Sequence, residues 1–484
     1  MHIELPLFSL LVLAPFSPSL ESENPPLIKT DPADIDFALA ELNPALDISL
    51  DRSRFPVASI NISISKMADF RPKNISRTAE FKEIVSRMDE AGSPAASPKT
   101  HPEKETNVLD DILSMVDSET PKHSTAPPKS PERPKTELLQ AIFADPEFRK
   151  MESAWRGLEM MARQVPSGSE TDVNFTLVPI SQNNLPAVLA RLEEVYSATP
   201  PDLIVMDHGL SNSPRSMDIL EKMMNFAEFL ITPAMVSFEP SFLELKNWAA
   251  VDKLPFIPSL LEGAEYGRWK TLRQQPSAGW IMGCAGNVMG RTMHTPEQGF
   301  DNTSLSERGP LWISSVWAAA ALCLHSLAKF DRGTLFADHS AIRLEGLPLA
   351  EGTRPSPVNP PIGTERIKDF RQSGINTLAF NGDQAFFLGA VSIDGGPLNL
   401  RLYLSRLIHF LIILSTEKRD EFVQPESQLT EVVALFLQKQ GYASDHVTIK
   451  KGESSSTTIP LEISVTPGMD ITGNNEPITF GFNW

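Results

Sequence analysis

Two cysteines in 484 residues, Cys284 and Cys323, both in apolar surroundings, are too few for a disulfide-built secreted protein and read as buried thiols. Basic charge is short as well. Lys and Arg number 43 against 61 Asp and Glu, a net charge of −18, which argues against nucleic acid as a partner because phosphate binding needs a concentrated basic face. A long hydrophobic run is missing: "LWISSVWAAAALCLHSLAKF" (311–330) is apolar over roughly 14 residues against the ~20 that a bilayer demands. The shorter "YLSRLIHFLIIL" (403–414) carries Arg406 and His409. Both read as core helices, so no membrane insertion and a soluble, cytoplasmic chain are expected. The nine histidines show no His-x-x-x-His spacing and the cysteines no Cys-x-x-Cys spacing, so neither a metal nor a cofactor is expected.

Catalytic signatures are also lacking. "GCAGNVMGRT" (283–292) imitates a phosphate-binding loop, but Arg291 stands where Lys is needed and Ala285 where the first Gly is needed. "DHGLSNS" (207–213) brings Asp, His and Ser together without the Gly-x-Ser-x-Gly turn that exposes a nucleophile. Asp110 and Asp111 read as a solubilising face. The chain is read as not an enzyme.

What is present is mixed α/β. Residues 1–92 form one unit. "MHIELPLFSLLVLAPFSPSL" admits two readings, a signal peptide or a strand, and the acidic, Lys-free start and Pro6 favour the strand. A short amphipathic helix follows at Ile35, Leu39 and Leu42, then an alternating tail at Leu46, Ile48 and Leu50. Ile60, Ile62 and Ile64 alternate with polar residues, a half-buried strand. Residues 93–134 are a Pro- and Ser-rich linker carrying one apolar segment, "NVLDDILSMVD" (107–117). Its Val108, Leu109, Ile112, Leu113, Met115 and Val116 make an apolar helix face, open to docking a partner or to packing on its own chain. From 135 onward helices and strands alternate, which argues for a sheet with helices packed on it. The tail 459–484 reads as two strands without a helix.

Several stretches carry a resemblance. "FADPEFRKMESAWRGLEMM" (143–161), "EYGRWKTLRQQPSAGWIMGC" (265–284), "PLWISSVWAAAALCLHSLAKF" (310–330) and "LSRLIHFLIILSTEKRDEF" (404–422) resemble, in that order, segments of the large sheath subunit of the type VI secretion system, TssC or VipB. "IELPLFSLLVLAPF", "DPADIDFALAELNPALDISL" and "INISISKMADFRPKNIS" resemble the small sheath subunit, TssB or VipA. The first strand then belongs to a fold and is not a signal.

The resemblance implies a sheath-like α+β body, 135–484, with exchanged terminal β-strands: Leu5–Leu13, Ile459–Val465 and Ile478–Trp484. It implies a structural subunit of a contractile sheath, a helical homopolymer around the Hcp tube protein that drives the tube outward. The alternative is a non-polymerising adaptor or cap of the same apparatus. Implied partners are further copies, Hcp, a separate small sheath subunit, the baseplate and a ClpV-type disassembly ATPase. "NVLDDILSMV" resembles the handle helix that this ATPase grips, which assigns that binding to Val108, Leu109, Ile112, Leu113, Met115 and Val116.

Overall fold

Phe8–Ala14, strand β1, sends Leu10, Val12 and Ala14 into one apolar layer and Leu11 and Leu13 into another. A strand buried on both faces reads as a continuous apolar run, which is why this stretch shows no polar alternation. The computed structural model describes residues 7–92, 132–166, 173–294, 307, 309–352, 355–417, 422, 425–442, 446–452, 459–473 and 476–484. The proposed handle, 107–117, lies outside them.

After β1 come β2 (Ile28–Thr30) and the hairpin β3 (Ala45–Ser49) and β4 (Ser59–Ser63). The later strands are β5 (Val173–Pro179), β6 (Leu203–Leu210), β7 (Ala234–Phe238), β8 (Ile281–Ala285), β9 (Asn287–Arg291), β10 (Leu311–Ser314), β11 (Val358–Asn359) and β12 (Ile375–Thr377). Seven of them form the main sheet in the order β12-β8-β7-β6-β1-β5-β2. All neighbours in it are parallel except β2, which runs antiparallel to β5 at one edge. Parallel strands need crossovers, and these lie on both faces. The helices Leu185–Tyr196 and Pro214–Phe229 cover one face, while Pro146–Ala162 and Ser315–Phe330 cover the other.

The first two helices of the second part are Glu132–Ala144 and Pro146–Ala162. Asp145 separates them: its carboxylate accepts the N–H of Phe148 at 2.9 Å, with Pro146 at the first helical position. The run read as one core helix from 311 divides at Ser314, where β10 ends and Ser315–Phe330 begins. Leu398–Glu417 is longer than its apolar core suggested. Among the described residues it is the one helix long and apolar enough to cross a bilayer by length and composition, and half of its apolar window is buried. It packs against Pro425–Lys439, with Phe410 stacked on Phe436 at 4.0 Å.

Two strands, β13 (Ala379–Asn381) and β14 (Gln384–Phe386), make a small hairpin. The tail forms a separate three-stranded antiparallel sheet of β15 (His446–Lys451), β16 (Pro460–Thr466) and β17 (Ile478–Asn483), with β16 in the middle. A one-turn helix, Met469–Thr472, interrupts the tail that was expected to hold strands alone.

The expected exchange of the N-terminal strand is corrected by this topology. β1 pairs with β5 on one side over all seven of its residues and with β6 on the other. Both edges of the strand are thus hydrogen-bonded within its own chain, leaving none to offer a neighbour. All of Ile459–Val465 but its first residue falls in β16, which is likewise flanked on both sides. Of the three strands named for exchange, only β17 keeps an edge unpaired among the described residues.

Candidate functional site

Chain direction changes at the middle of the main sheet. From β1 the chain moves to β5 on one side, through helices on one face. From β6 it moves to β7 and β8 on the other side, through helices on the opposite face. The loops leaving β1 and β6 therefore diverge, and a crevice opens between the carboxyl ends of these neighbouring strands. A cleft of about 910 Å³ occupies it. Pro15, Pro18, Ser19 and Glu21 line it after β1, Ser181, Gln182 and Asn183 after β5, Asp207, His208 and Ser211 at the end of β6, and Glu239 after β7.

Three buried aromatic rings pack together in the adjoining core. Trp155, in "WRGL", donates its indole N–H to the Phe16 carbonyl at 3.0 Å, and the two rings lie 4.9 Å apart. Phe16 also meets Trp317 edge-on at 6.2 Å. Gly157 of the same motif admits that ring, since a Cβ there would lie 2.2 Å from Trp317 Cδ2. Trp317 in turn donates to Asp207 Oδ2 at 2.7 Å. Burial pushes the Asp207 carboxyl up to about 6, against the opposing effect of the Trp317 bond.

Register between β6 and β7 breaks between Met206 and Leu210, a bulge that carries Asp207, His208 and Gly209 out of the regular ladder. Gly209 leaves room for Glu239, whose Cγ would lie 2.3 Å from a Cβ at that position. His208 is pushed down to about 4, by burial first and then by the charges of Lys150 and Arg215. Ser213 caps the helix Pro214–Phe229, and Ser211 bonds both Ser213 at 2.9 Å and Ser216 at 3.0 Å. Among the described residues no hydrogen bond joins Asp207 to His208, or His208 to a serine; Asp207 accepts from Trp317, and Ser211 bonds Ser213 and Ser216.

The imitation phosphate loop is a pair of strands. Gly286, at φ +91°, turns β8 into β9, and no helix follows. Arg291 binds inward: its Nε and Nη2 reach both oxygens of Glu152 at 2.6 and 2.8 Å, and its Nη1 reaches Glu307 at 2.9 Å. Burial raises Glu152, but the Arg291 hydrogen bonds and the charges of Arg291, Arg156 and His294 outweigh it and hold the carboxyl below its usual range. Burial pushes the Cys284 thiol far up and Cys323 up to about 12, consistent with inert core thiols. No group of His, Cys, Asp and Glu among the described residues could hold a metal ion.

Sequence reading missed the cleft. Its signals are the polar stretches "PISQNN", "DHGLSNS" and "FEPS", each running over the end of a strand; which strands are neighbours is visible only in the fold.

The molecule is thus a mixed α/β protein with a doubly covered sheet and a C-terminal β arm. Residues 135–335 match the family model described as VipB: EvpB/VC_A0108, tail sheath N-terminal domain. The type VI secretion system sheath protein TssC1 of Pseudomonas aeruginosa is 22% identical over 166 residues, covering 30% of this chain and 32% of that protein. The chain therefore matches about a third of the length of this curated relative. The sheath tail protein of Desulfitobacterium hafniense aligns over 63% of this chain and 60% of its own, with 11% identity and a TM-score of 0.34. Over these parts of its length the chain is similar to large sheath subunits of the TssC or VipB kind.

Proposed function

We propose that the chain is a structural subunit of a contractile type VI sheath that joins a small-subunit-like part, 1–92, to a large-subunit-like part, 135–484. It polymerises around the Hcp tube in the cytoplasm and drives the tube out on contraction. One observation carries the joined-subunit reading: β1, from the first part, is the strand between β5 and β6 of the second. A single core spans both parts, with Phe16, Ile60 and Phe70 in the same cluster as Trp155 and Trp317. Two segments whose strands interleave in one sheet fold together, so linking them costs only loop closure, which grows slowly with linker length.

In this reading subunits meet head to tail in an open helical array. The unpaired edge of β17 is the template for a neighbour's strand, giving backbone hydrogen bonds as the tether. Val108, Leu109, Ile112, Leu113, Met115 and Val116 are the handle for a ClpV-type ATPase. The baseplate and a separate small subunit are its other partners.

The full pairing of β1 favours a second reading, a non-polymerising adaptor or cap, because it leaves one fewer strand for exchange. Negative-stain electron microscopy of the chain, with and without an Hcp-type tube protein, separates the two. Helical tubes support the sheath subunit; discrete small particles in both samples support the adaptor.

A further inference from the structure

The cleft at the switch point has the wrong lining for a small organic molecule. Such sites are mostly apolar with a few placed polar groups. This one is lined by six serines and five Asn or Gln side chains, and its two large aromatics, Phe238 and Trp248, are buried beneath the surface. Hydroxyls and amides both donate and accept, which matches the alternating N–H and C=O of an extended polypeptide. At about 910 Å³ the cleft also stands near the upper end of the range of ligand pockets, roughly 300–1,000 Å³.

Charge narrows the occupant further. Four carboxylates (Glu21, Glu147, Asp207 and Glu239) face two lysines (Lys150 and Lys246), and His208 is held neutral, so the wall is acidic on balance. Lys150 is already bonded to Glu147 at 2.7 Å. A basic side chain on the incoming segment is complementary to this wall. The cleft also needs both parts of the chain: Pro15, Pro18, Ser19, Glu21 and Leu46 come from the first, and the remaining walls from the second.

We infer that this cleft is a socket for an extended, basic segment of a second copy of the chain. The inference rests on the sheath-subunit reading, in which copies meet repeatedly in fixed orientation. It adds a contact on the main sheet's carboxyl edge, away from the C-terminal β arm. The occupant forms hydrogen bonds with Ser and Asn side chains along the cleft and places its cation near Glu21 and Glu239.

The test is photo-crosslinking of the full-length chain with benzoylphenylalanine at Gln182, an exposed cleft residue. Heavy- and light-isotope preparations are mixed before assembly, and the crosslinked peptides are read by mass spectrometry. Mixed heavy–light crosslinks from the cleft to a segment containing Lys or Arg are expected, and a Ser153→Trp change that fills the cleft lowers their yield at least tenfold. Glu21→Lys, on an exposed loop, keeps the test open should Ser153→Trp fail to fold; it lowers the yield severalfold. Crosslinks only within one copy, none at all, or a yield indifferent to a folded cleft variant overturns the socket. Electron microscopy of the same samples keeps the two readings apart: tubes without heavy–light crosslinks leave the sheath reading standing and remove the socket.

Discussion

Arg406 Nη1 lies 2.7 Å from Asp202 Oδ1, joining the late helix Leu398–Glu417 to the start of the main sheet. The same guanidinium reaches the Leu7 carbonyl at 3.2 Å and lies over the Phe8 ring at 5.6 Å. Asp202 Oδ2 meanwhile accepts the Ser9 N–H at 2.8 Å. The ion pair therefore holds the entry of β1 against the helix that carries the C-terminal arm. Both side chains are largely buried, at 12% and 6% exposed. Removing one partner of a buried pair leaves an uncompensated charge and costs about 3–5 kcal/mol. Arg406→Ala is expected to lower unfolding stability in urea by about 3 kcal/mol or more. A loss below about 1 kcal/mol, the range of surface pairs, would show that the clamp is not structural.

Glu152 and Arg291 make a second buried pair, with two parallel hydrogen bonds between one helix and one strand. Bidentate geometry of this kind is specific to arginine. Arg291→Lys keeps the charge and loses the fork, so it is expected to destabilise measurably, and Glu152→Gln more so. The pH dependence has a definite sign. A carboxyl held below its unfolded value contributes stability that is present above that value and lost as pH falls through the folded one. Relative to Glu152→Gln, the native chain should lose stability on acidification below the ordinary glutamate range. Parallel pH profiles for the two proteins, read by urea unfolding, would contradict this assignment.

Much of the fold is legible in local patterns, because those patterns are local physics. Ile60 and Ile62 are buried with Asn61 exposed between them, as alternation requires. Asp145-Pro146 starts a helix where its capping chemistry says it should. "WRGL" was legible as a signature, while its reason was not: Trp155 binds the Phe16 carbonyl and Gly157 clears Trp317, contacts 139 and 160 positions apart in the chain. No periodicity encodes which strands become neighbours. That is why β1 read as a strand to be exchanged and proved to be an interior strand of its own sheet, and why the cleft between β1 and β6 escaped notice. Leu398–Glu417 shows the same limit, since Arg406 read as a break in an apolar run when its partner was Asp202.

Asp207 gives a pH prediction of opposite sign to Glu152. Its carboxyl titrates near 6 in the fold, raised by burial above its ordinary value. A carboxyl raised in this way contributes stability that is fully present below the unfolded value, about 4, and lost as pH rises through about 6. Asp207→Asn keeps an acceptor for the Trp317 indole and removes the titration. Between pH 4 and 6 the native chain should lose stability relative to Asp207→Asn, with Trp317 fluorescence shifting over the same interval. Equal slopes for both proteins would place the titrating group elsewhere.

The handle assignment stands on sequence pattern and is tested by function rather than by stability. Helical spacing would put Ile112 and Leu113 on an apolar face of 107–117, a segment between two Pro- and Ser-rich stretches of sequence. An apolar face that recognises a partner loses binding when charge enters it, because the aspartate must be desolvated without a partner. The double change Ile112→Asp and Leu113→Asp is expected to abolish recruitment of a ClpV-type ATPase in a pull-down. The thermal unfolding midpoint should stay within a degree or two, the scale of a surface substitution. If the face instead packs on the chain's own body, the midpoint falls by several degrees, as buried charge does to a core. Recruitment unchanged at full stability would mean that the ATPase grips some other segment.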